Sequence, residues 1–473
     1  MSATAPARAK RLHLTALIVA AAMFMEQVDG TVLATALPTM ARSFDVEPLR
    51  MNVALTSYLL SLAVFIPVSG TAADRFGART VFRAAIALFT VGSILCAQSQ
   101  SLWFLVASRI LQGFGGAMMV PVGRLVLLRS ASKAELITAM TWLMIPATIG
   151  PVLGPPIGGF IVDALNWRWI FYINVPVGMV GLVLVTLFIE DVREKEPGRF
   201  DFQGFVLSGV ALACLMFGLE LASRGVGSVM ETMALLVVGV ASGVLYWRHS
   251  RGHPHPILDF SLMRVPTFGI SVLAGALSRV AVGAMPFLLP MMLQLGFGMS
   301  ATASGLITFA SAIGSLAMRL AARPMLKRIG FRNTLVWVGL VSTLLLGSSA
   351  AFRPSWPLFA IYALLVMGEF FQSLQFMVYN TIAYADIQRD RMSSATSFYT
   401  TFQQLCISLG IATAAGALAG SMFIAGHTAP ALSDFTAAFL LVAGVAVFAP
   451  VLSWRLDRDA GAELSGQRVR GRA

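Results

Sequence analysis

Fourteen apolar runs of roughly 20 residues follow one another along the chain, each long enough for a helix to cross the hydrocarbon core of a bilayer. They fall at about 13–40, 51–69, 81–98, 102–123, 137–162, 169–189, 203–223, 230–247, 267–295, 301–318, 333–352, 356–385, 393–420 and 434–454. Only 12% of the residues are charged, against about 25% in an ordinary soluble protein. The chain is therefore an integral, all-α membrane protein. No run alternates with period two, which excludes a membrane β-barrel. The first run follows Arg8, Lys10 and Arg11 as the core of a signal peptide would, but it continues through "TVLATALP" without a small-residue cleavage site. It reads as a retained first helix. Cys96, Cys214 and Cys406 all lie in apolar runs and imply no disulfide framework.

The basic residues test this count. With the N-terminus in the cytoplasm, 27 of the 34 Lys and Arg fall in cytoplasmic segments, and five (Arg42, Arg50, Arg168, Arg224 and Arg353) fall outside. Arg109 and Arg279 lie within spans. The asymmetry obeys the positive-inside rule, so both termini are expected in the cytoplasm. It also accounts for the net charge of +12 without a nucleic-acid partner.

The connections repeat. "GTAADRFGART" (70–80) joins the second and third spans, and "RPMLKRIGFRNT" (323–334) joins the tenth and eleventh. With a shift of 253, Arg75, Gly77 and Arg79 fall on Arg328, Gly330 and Arg332. The expected organisation is an N-terminal six-helix half (1–200), two additional helices (201–250), and a C-terminal six-helix half with a cytoplasmic tail (251–473). Parallel repeats of this kind mark transporters whose substrate site lies between the halves near the midplane.

The first run contains Glu26 and Asp29, which share one helix face. They lie about 20 and 24 Å from the cytoplasmic end, and Arg109 enters to a similar depth from the outside. An acid so deep costs several kcal/mol. Two readings stand: a fixed buried ion pair, or a carboxylate balanced between desolvation and its arginine. In the second half, Arg279 is the shifted equivalent of Glu26. Glu369 lies near mid-membrane, followed at mostly helical spacing by Gln372, Gln375, Tyr379 and Asn380. Glu369 is expected to pair with Arg279 or to meet a cationic substrate.

Gly150, Gly154 and Gly158 recur every four residues, among Pro151, Pro155 and Pro156. This is either ordinary small-residue packing or a bendable seam between the halves. Ser408, Ala412, Gly416 and Gly420 carry the same spacing later in the chain. His249, His253 and His255 read as a juxtamembrane loop in preference to a metal site. Met and aromatic residues such as Met25 and Phe371 crowd the same helices. Most are lipid or core contacts, and any that face a cavity would give it a soft apolar lining.

Several stretches together resemble the major facilitator superfamily, and within it the fourteen-span drug–proton antiporter branch of the EmrB/QacA type. "GTAADRFGART" is similar to the loop motif G-x-L-A-D-R-x-G-R-[KR], with Ala72 and Ala78 as departures. "RILQGFGGA", from Arg109, is similar to the fourth-helix motif R-x-x-Q-G. "GPVLGPPIGG" (150–159) resembles the fifth-helix antiporter motif, with Thr141 where a further Gly is usual. "VDGTVLATALP" and "WRWIFYINVPVG" (167–178) resemble first- and sixth-helix signatures of the branch. Glu26 is outside the usual first-helix pattern.

The resemblance implies the major facilitator fold with 14 transmembrane helices and proton-coupled export of lipophilic or cationic small molecules from a bacterial cytoplasmic membrane. Proton coupling is then expected at Asp29, Glu26 and Arg109. The substrate cavity is expected at Glu369, Arg279, Gln112, Gln372, Gln375, Asn380, Met25 and Phe371. A gating latch is expected at Gly70, Asp74, Arg75, Gly77 and Arg79, and an antiporter helix at Gly150, Pro151, Gly154, Pro155, Gly158 and Gly159. The implied partners are a small-molecule substrate, protons and membrane lipid, with the protein a monomer, and no cofactor is called for beyond the proton gradient. The competing reading on the same fold is uptake or exchange of one metabolite or ion. An enzyme is disfavoured: no histidine lies deep in a span, and neither H-E-x-x-H nor a Walker loop is present.

Overall fold

The structure, a computed structural model, describes residues 5–46, 51–131, 135–190, 200–224, 228–299 and 301–465, and among them every regular element is helical. Thirteen helices among the described residues are long and apolar enough to cross a membrane. A fourteenth, Leu136–Ala164, stands where the span at 137–162 was expected, with some of its side chains outside the described residues. We number them α1 (Ala5–Phe44), α2 (Val53–Phe76), α3 (Ala78–Ala97), α4 (Leu102–Ser130), α5 (Leu136–Ala164), α6 (Trp169–Phe188), α7 (Phe202–Arg224), α8 (Val229–Gly252), α9 (Pro266–Gly296), α10 (Ala301–Ile329), α11 (Phe331–Ala351), α12 (Leu358–Ile382), α13 (Met392–Ala425) and α14 (Leu432–Ser453).

α1 packs along α5, α4 and α6, and α3 along α4 and α6; α9 packs along α13, α14 and α12, and α10 along α12. The α1–α5 and α9–α13 pairs occupy equivalent places in the two sets. The sets meet where α2 and α4 touch α13 and where α5 touches α10 and α12. α7 pairs with α8 but also packs on both α2 and α13. The inserted pair is therefore anchored across the junction.

The repeat in the connections is structural. Gly77 (φ 89°, ψ 137°) and Gly330 (φ 81°, ψ 167°) each form the one-residue break between consecutive helices. Only glycine adopts this region without strain. The expected loops are shorter than the sequence implied. Gly70 to Phe76 form the last turns of α2, and α4 continues to Ser130 and so takes up Arg124 and Arg129. Helical hydrogen bonding satisfies the backbone where the chain leaves the apolar layer, so helices outlast their apolar runs. Gly77→Ala and Gly330→Ala are each expected to lower stability by about 1–3 kcal/mol, read as an earlier thermal unfolding transition in detergent.

Candidate functional site

Five helices converge on Asp29. The side chain, 3% exposed, comes from the middle of α1. Arg109 Nη1 of α4 lies 2.6 Å from Asp29 Oδ2. One turn on, Gln112 donates from Nε2 to Asp29 Oδ1 at 2.9 Å, and Asn174 of α6 donates from Nδ2 to the same oxygen at 2.9 Å. Gln112 Oε1 accepts from Arg109 Nη1 at 2.6 Å, and Ser93 Oγ of α3 accepts from Gln112 and Asn174 at 2.8 and 3.2 Å. Tyr58 of α2 lies under the guanidinium, with its ring centre 4.2 Å from Cζ. Arg109 and Gln112 are fully buried.

The expected partnership of Asp29 and Arg109 is thus direct, and Gln112, expected in the substrate cavity, is buried as a donor to Asp29. Asn174, Ser93 and Tyr58 were not anticipated. Asn174 was legible as a lone amide in the apolar "WRWIFYINVPVG", since a polar side chain inside a span needs a partner. Glu26 stands apart from this network. It is buried, and its Oε2 has no hydrogen-bond partner. The α1 face therefore carries one carboxylate that is fully engaged and, one turn away, one that is not.

The expected second-half cluster is rearranged. Glu369 accepts a hydrogen bond from Ser373 on its own helix at 2.7 Å, and no ion pair joins it to Arg279 among the described residues. Arg279, 2% exposed, instead donates from Nη2 to the Tyr399 hydroxyl of α13. Its guanidinium lies over the rings of Tyr399 and Phe376, at 4.7 and 5.5 Å. Gln372 and Gln375 bind neighbouring helices: Ser342 donates to Gln372 Oε1 at 2.6 Å and Ser278 to Gln375 Oε1 at 3.2 Å. Asn380 donates to the Phe376 carbonyl of its own helix. Much of the polar stripe is thus consumed in packing α12 against α9 and α11.

 Met25 lines an apolar groove of about 320 Å³ between α1, α3 and α6, beside Ile86, Pro176 and Val180. Met25 therefore faces its own half. Phe371 is half-buried and meets Phe370 edge-on at 5.2 Å.

The latch residues reach across the junction. Asp74, at the end of α2, lies 3.1 Å from Arg129 of α4 through Oδ1 and accepts from Ser393 Oγ through Oδ2. Ser393 opens α13, in the other half. Beside it, Ser397 Oγ lies 2.6 Å from Ser69 Oγ and accepts from the Gly70 amide at 2.7 Å. A Cβ on Gly70 would sit 2.7 Å from the Ser393 carbonyl oxygen, so the close approach itself requires glycine. Arg79 donates to the Thr186 carbonyl of α6, and Arg75 is exposed. Ser393 and Ser397 were legible only as hydroxyls one turn apart at a helix start. Arg124 was assigned to a loop, yet it is 1% exposed at the junction. It donates from Nη1 to Tyr384 at 3.3 Å and Thr400 at 3.4 Å.

The glycines of α5 face α1, not the opposite half. A Cβ on Gly150 would meet Gln27 Cβ at 2.5 Å, and one on Gly154 would collide with Thr31 Oγ1. Gly158 is buried, and the side-chain surroundings of Pro151, Pro155 and Gly159 lie outside the described residues. The expected partner stripe is also displaced: a Cβ on Gly416 or Gly420 would meet nothing within 4 Å, whereas Gly283 and Gly410 make the close α9–α13 contact. Small residues seal the two equivalent helix pairs within the halves. At the end of α8, His249 Nε2 lies 2.7 Å from Asp201 Oδ1 at the start of α7, which ties the inserted pair together.

The sequence profile of the Major Facilitator Superfamily matches residues 19–411. A relative from Serratia proteamaculans (strain 568), named "Putative multidrug resistance protein MdtD", is 40% identical over 412 residues, 85% of this chain and 84% of the relative. One of the same name from Yersinia enterocolitica is 35% identical over 467 residues, 96% of this chain and 97% of the relative. Among solved structures, the human organic anion transporter MFSD10 matches with a TM-score of 0.67 at 15% identity, over 93% of this chain and 99% of that one. That likeness is one of fold alone.

Proposed function

The chain belongs to the Major Facilitator Superfamily, and from that premise we propose that it exports lipophilic small molecules across the bacterial cytoplasmic membrane in exchange for protons. It is a multi-pass membrane transporter and not an enzyme. The proposed cycle is alternating access, with the halves 1–200 and 251–473 moving about the junction and the pair 201–250 riding on it, as in the fourteen-span drug–proton antiporter branch.

The observation that carries this reading is the pair of buried carboxylates on α1, one held by Arg109 and one without a partner on Oε2. A buried acid is expensive, and a proton is the smallest ligand that neutralises it. Protonation changes the charge of one helix face, so a substrate that binds one charge state better than the other is coupled to the proton, reciprocally by linkage. A substrate-induced change in bound protons, measured on the detergent-solubilised protein, tests this. A change in the wild type and its loss in Asp29→Asn and Glu26→Gln is the expected result; an equal change in all three removes coupling from α1.

The alternative, a transporter dedicated to one metabolite, keeps the same acids. The buried arginines Arg124 and Arg279 are the observation on its side.

The topology has its own test. With the three native cysteines replaced, Ser355→Cys, in the exposed turn between α11 and α12, should label from outside intact cells. Gly252→Cys, at the end of α8, should label only after permeabilisation. Outside labelling at Gly252 would overturn the fourteen-span arrangement with cytoplasmic termini.

A further inference from the structure

We infer that Arg124 and Arg279 are two arms of a binding site for an organic anion, so that the cargo is a carboxylate with an apolar body and not a cation. The inference deepens the proposed transport reading and rests on it for the movement of that cargo. The two arginines come from opposite halves, Arg124 from α4 and Arg279 from α9. Substrate sites in parallel-repeat transporters lie at such a junction. Both guanidinium carbons lie over one ring, that of Tyr399, at 5.7 and 4.7 Å. The two charges are therefore no more than about 10 Å apart.

Among the described residues, neither arginine is paired with a carboxylate. Their acceptors are neutral hydroxyls: Tyr384 and Thr400 for Arg124, Tyr399 for Arg279. The Nε of each is buried without a hydrogen-bond partner. The nearby buried acids do not answer them. Asp29 is bound to Arg109, Glu369 takes its hydrogen bond from Ser373, and Glu26 lies beside Asp29 on α1. Burying an unpaired cation costs several kcal/mol, and stacking on tyrosine returns only part of it.

An oxyanion would supply what is missing. Guanidinium binds carboxylate through parallel N–H donors, and each arginine keeps an unused Nε–H. Phe376 and the rings of Tyr384 and Tyr399, 5.6 Å apart, suit an apolar body. The same arrangement repels a lipophilic cation.

The test is binding to the full-length protein in detergent by calorimetry, with salicylate as the anionic probe and tetraphenylphosphonium as the cationic one. Salicylate should bind and tetraphenylphosphonium should not, a comparison that needs no variant. Arg124→Gln and Arg279→Gln should each weaken salicylate by about tenfold or more, and Arg279→Lys should keep part of the affinity. Binding of the cation in preference to salicylate would overturn the inference, as would salicylate binding indifferent to both glutamine substitutions. Asp29→Asn separates the two readings. Retained, arginine-dependent salicylate binding alongside unaltered proton-driven transport in that variant would refute exchange at Asp29 and leave the anion site standing.

Discussion

Asp29→Asn is expected to abolish proton-driven export, and Arg109→Gln to do the same, for a reason that can be separated from folding. Each single change strips one member of a fully buried ion pair joined at 2.6 Å. Leaving a buried charge uncompensated costs about 3–5 kcal/mol, whereas removing both charges of such a pair is often close to neutral. The double variant Asp29→Asn/Arg109→Gln should therefore regain most of the thermal stability lost in either single variant. Gln112 and Asn174 can still donate to the amide oxygen at position 29. Export driven by an imposed pH gradient in proteoliposomes should nevertheless stay absent in the double variant, because no ionisable group remains there. A double variant that recovers both stability and transport would reduce the pair to a structural fastening. Glu26 would then be the first candidate for the proton, since its Oε2 has no partner in the structure.

The fold was legible because its signal is coarse. A bilayer demands about 20 apolar residues per crossing, and helices of that length recur along the described residues. Even the repeat was visible through Gly77 and Gly330, since a one-residue break at positive φ admits little else. Partners were less legible, because they depend on helix rotation and on which helices touch. Asp29 and Arg109 could be matched by depth alone. The same reasoning offered Glu369 either Arg279 or a cationic substrate as partner; it could not foresee that Ser373, one helical turn along, donates to it. Arg124 was lost to a loop because a positive charge near the end of an apolar run looks like a helix boundary; "LVLL" directly after it was the sign that the span continued. The α5 glycines left packing and a seam between the halves both open, because spacing says nothing about which neighbour the face meets; Gly150 and Gly154 meet α1.

The second large effect is expected at the latch. Asp74 carries its charge to the first turn of α13, where Ser393 donates to it and the helix N-terminus favours an anion. Arg129 holds the carboxylate from its own half at 3.1 Å. In the proposed cycle these contacts would be present only while the two halves touch at this end, the cytoplasmic end in the predicted topology. Their loss therefore falls on one state of the cycle and not on the fold. Asp74→Asn keeps a hydrogen-bond acceptor but gives up the charge, which at about 1–2 kcal/mol shifts the open-to-closed ratio by roughly 5–30-fold. Gly70→Val should act more strongly, since even a Cβ there would press on the Ser393 carbonyl oxygen at 2.7 Å and the closed seam could not form. Spin labels at the exposed positions 75 and 389, on either side of the seam, read the result as a distance distribution. Asp74→Asn should add a longer component, and Gly70→Val should leave little else. Transport should fall in the same order while the thermal transition moves little, because partly exposed charge contacts contribute little to stability. A single short distance in both variants, with transport intact, would mean that the seam does not gate the cycle.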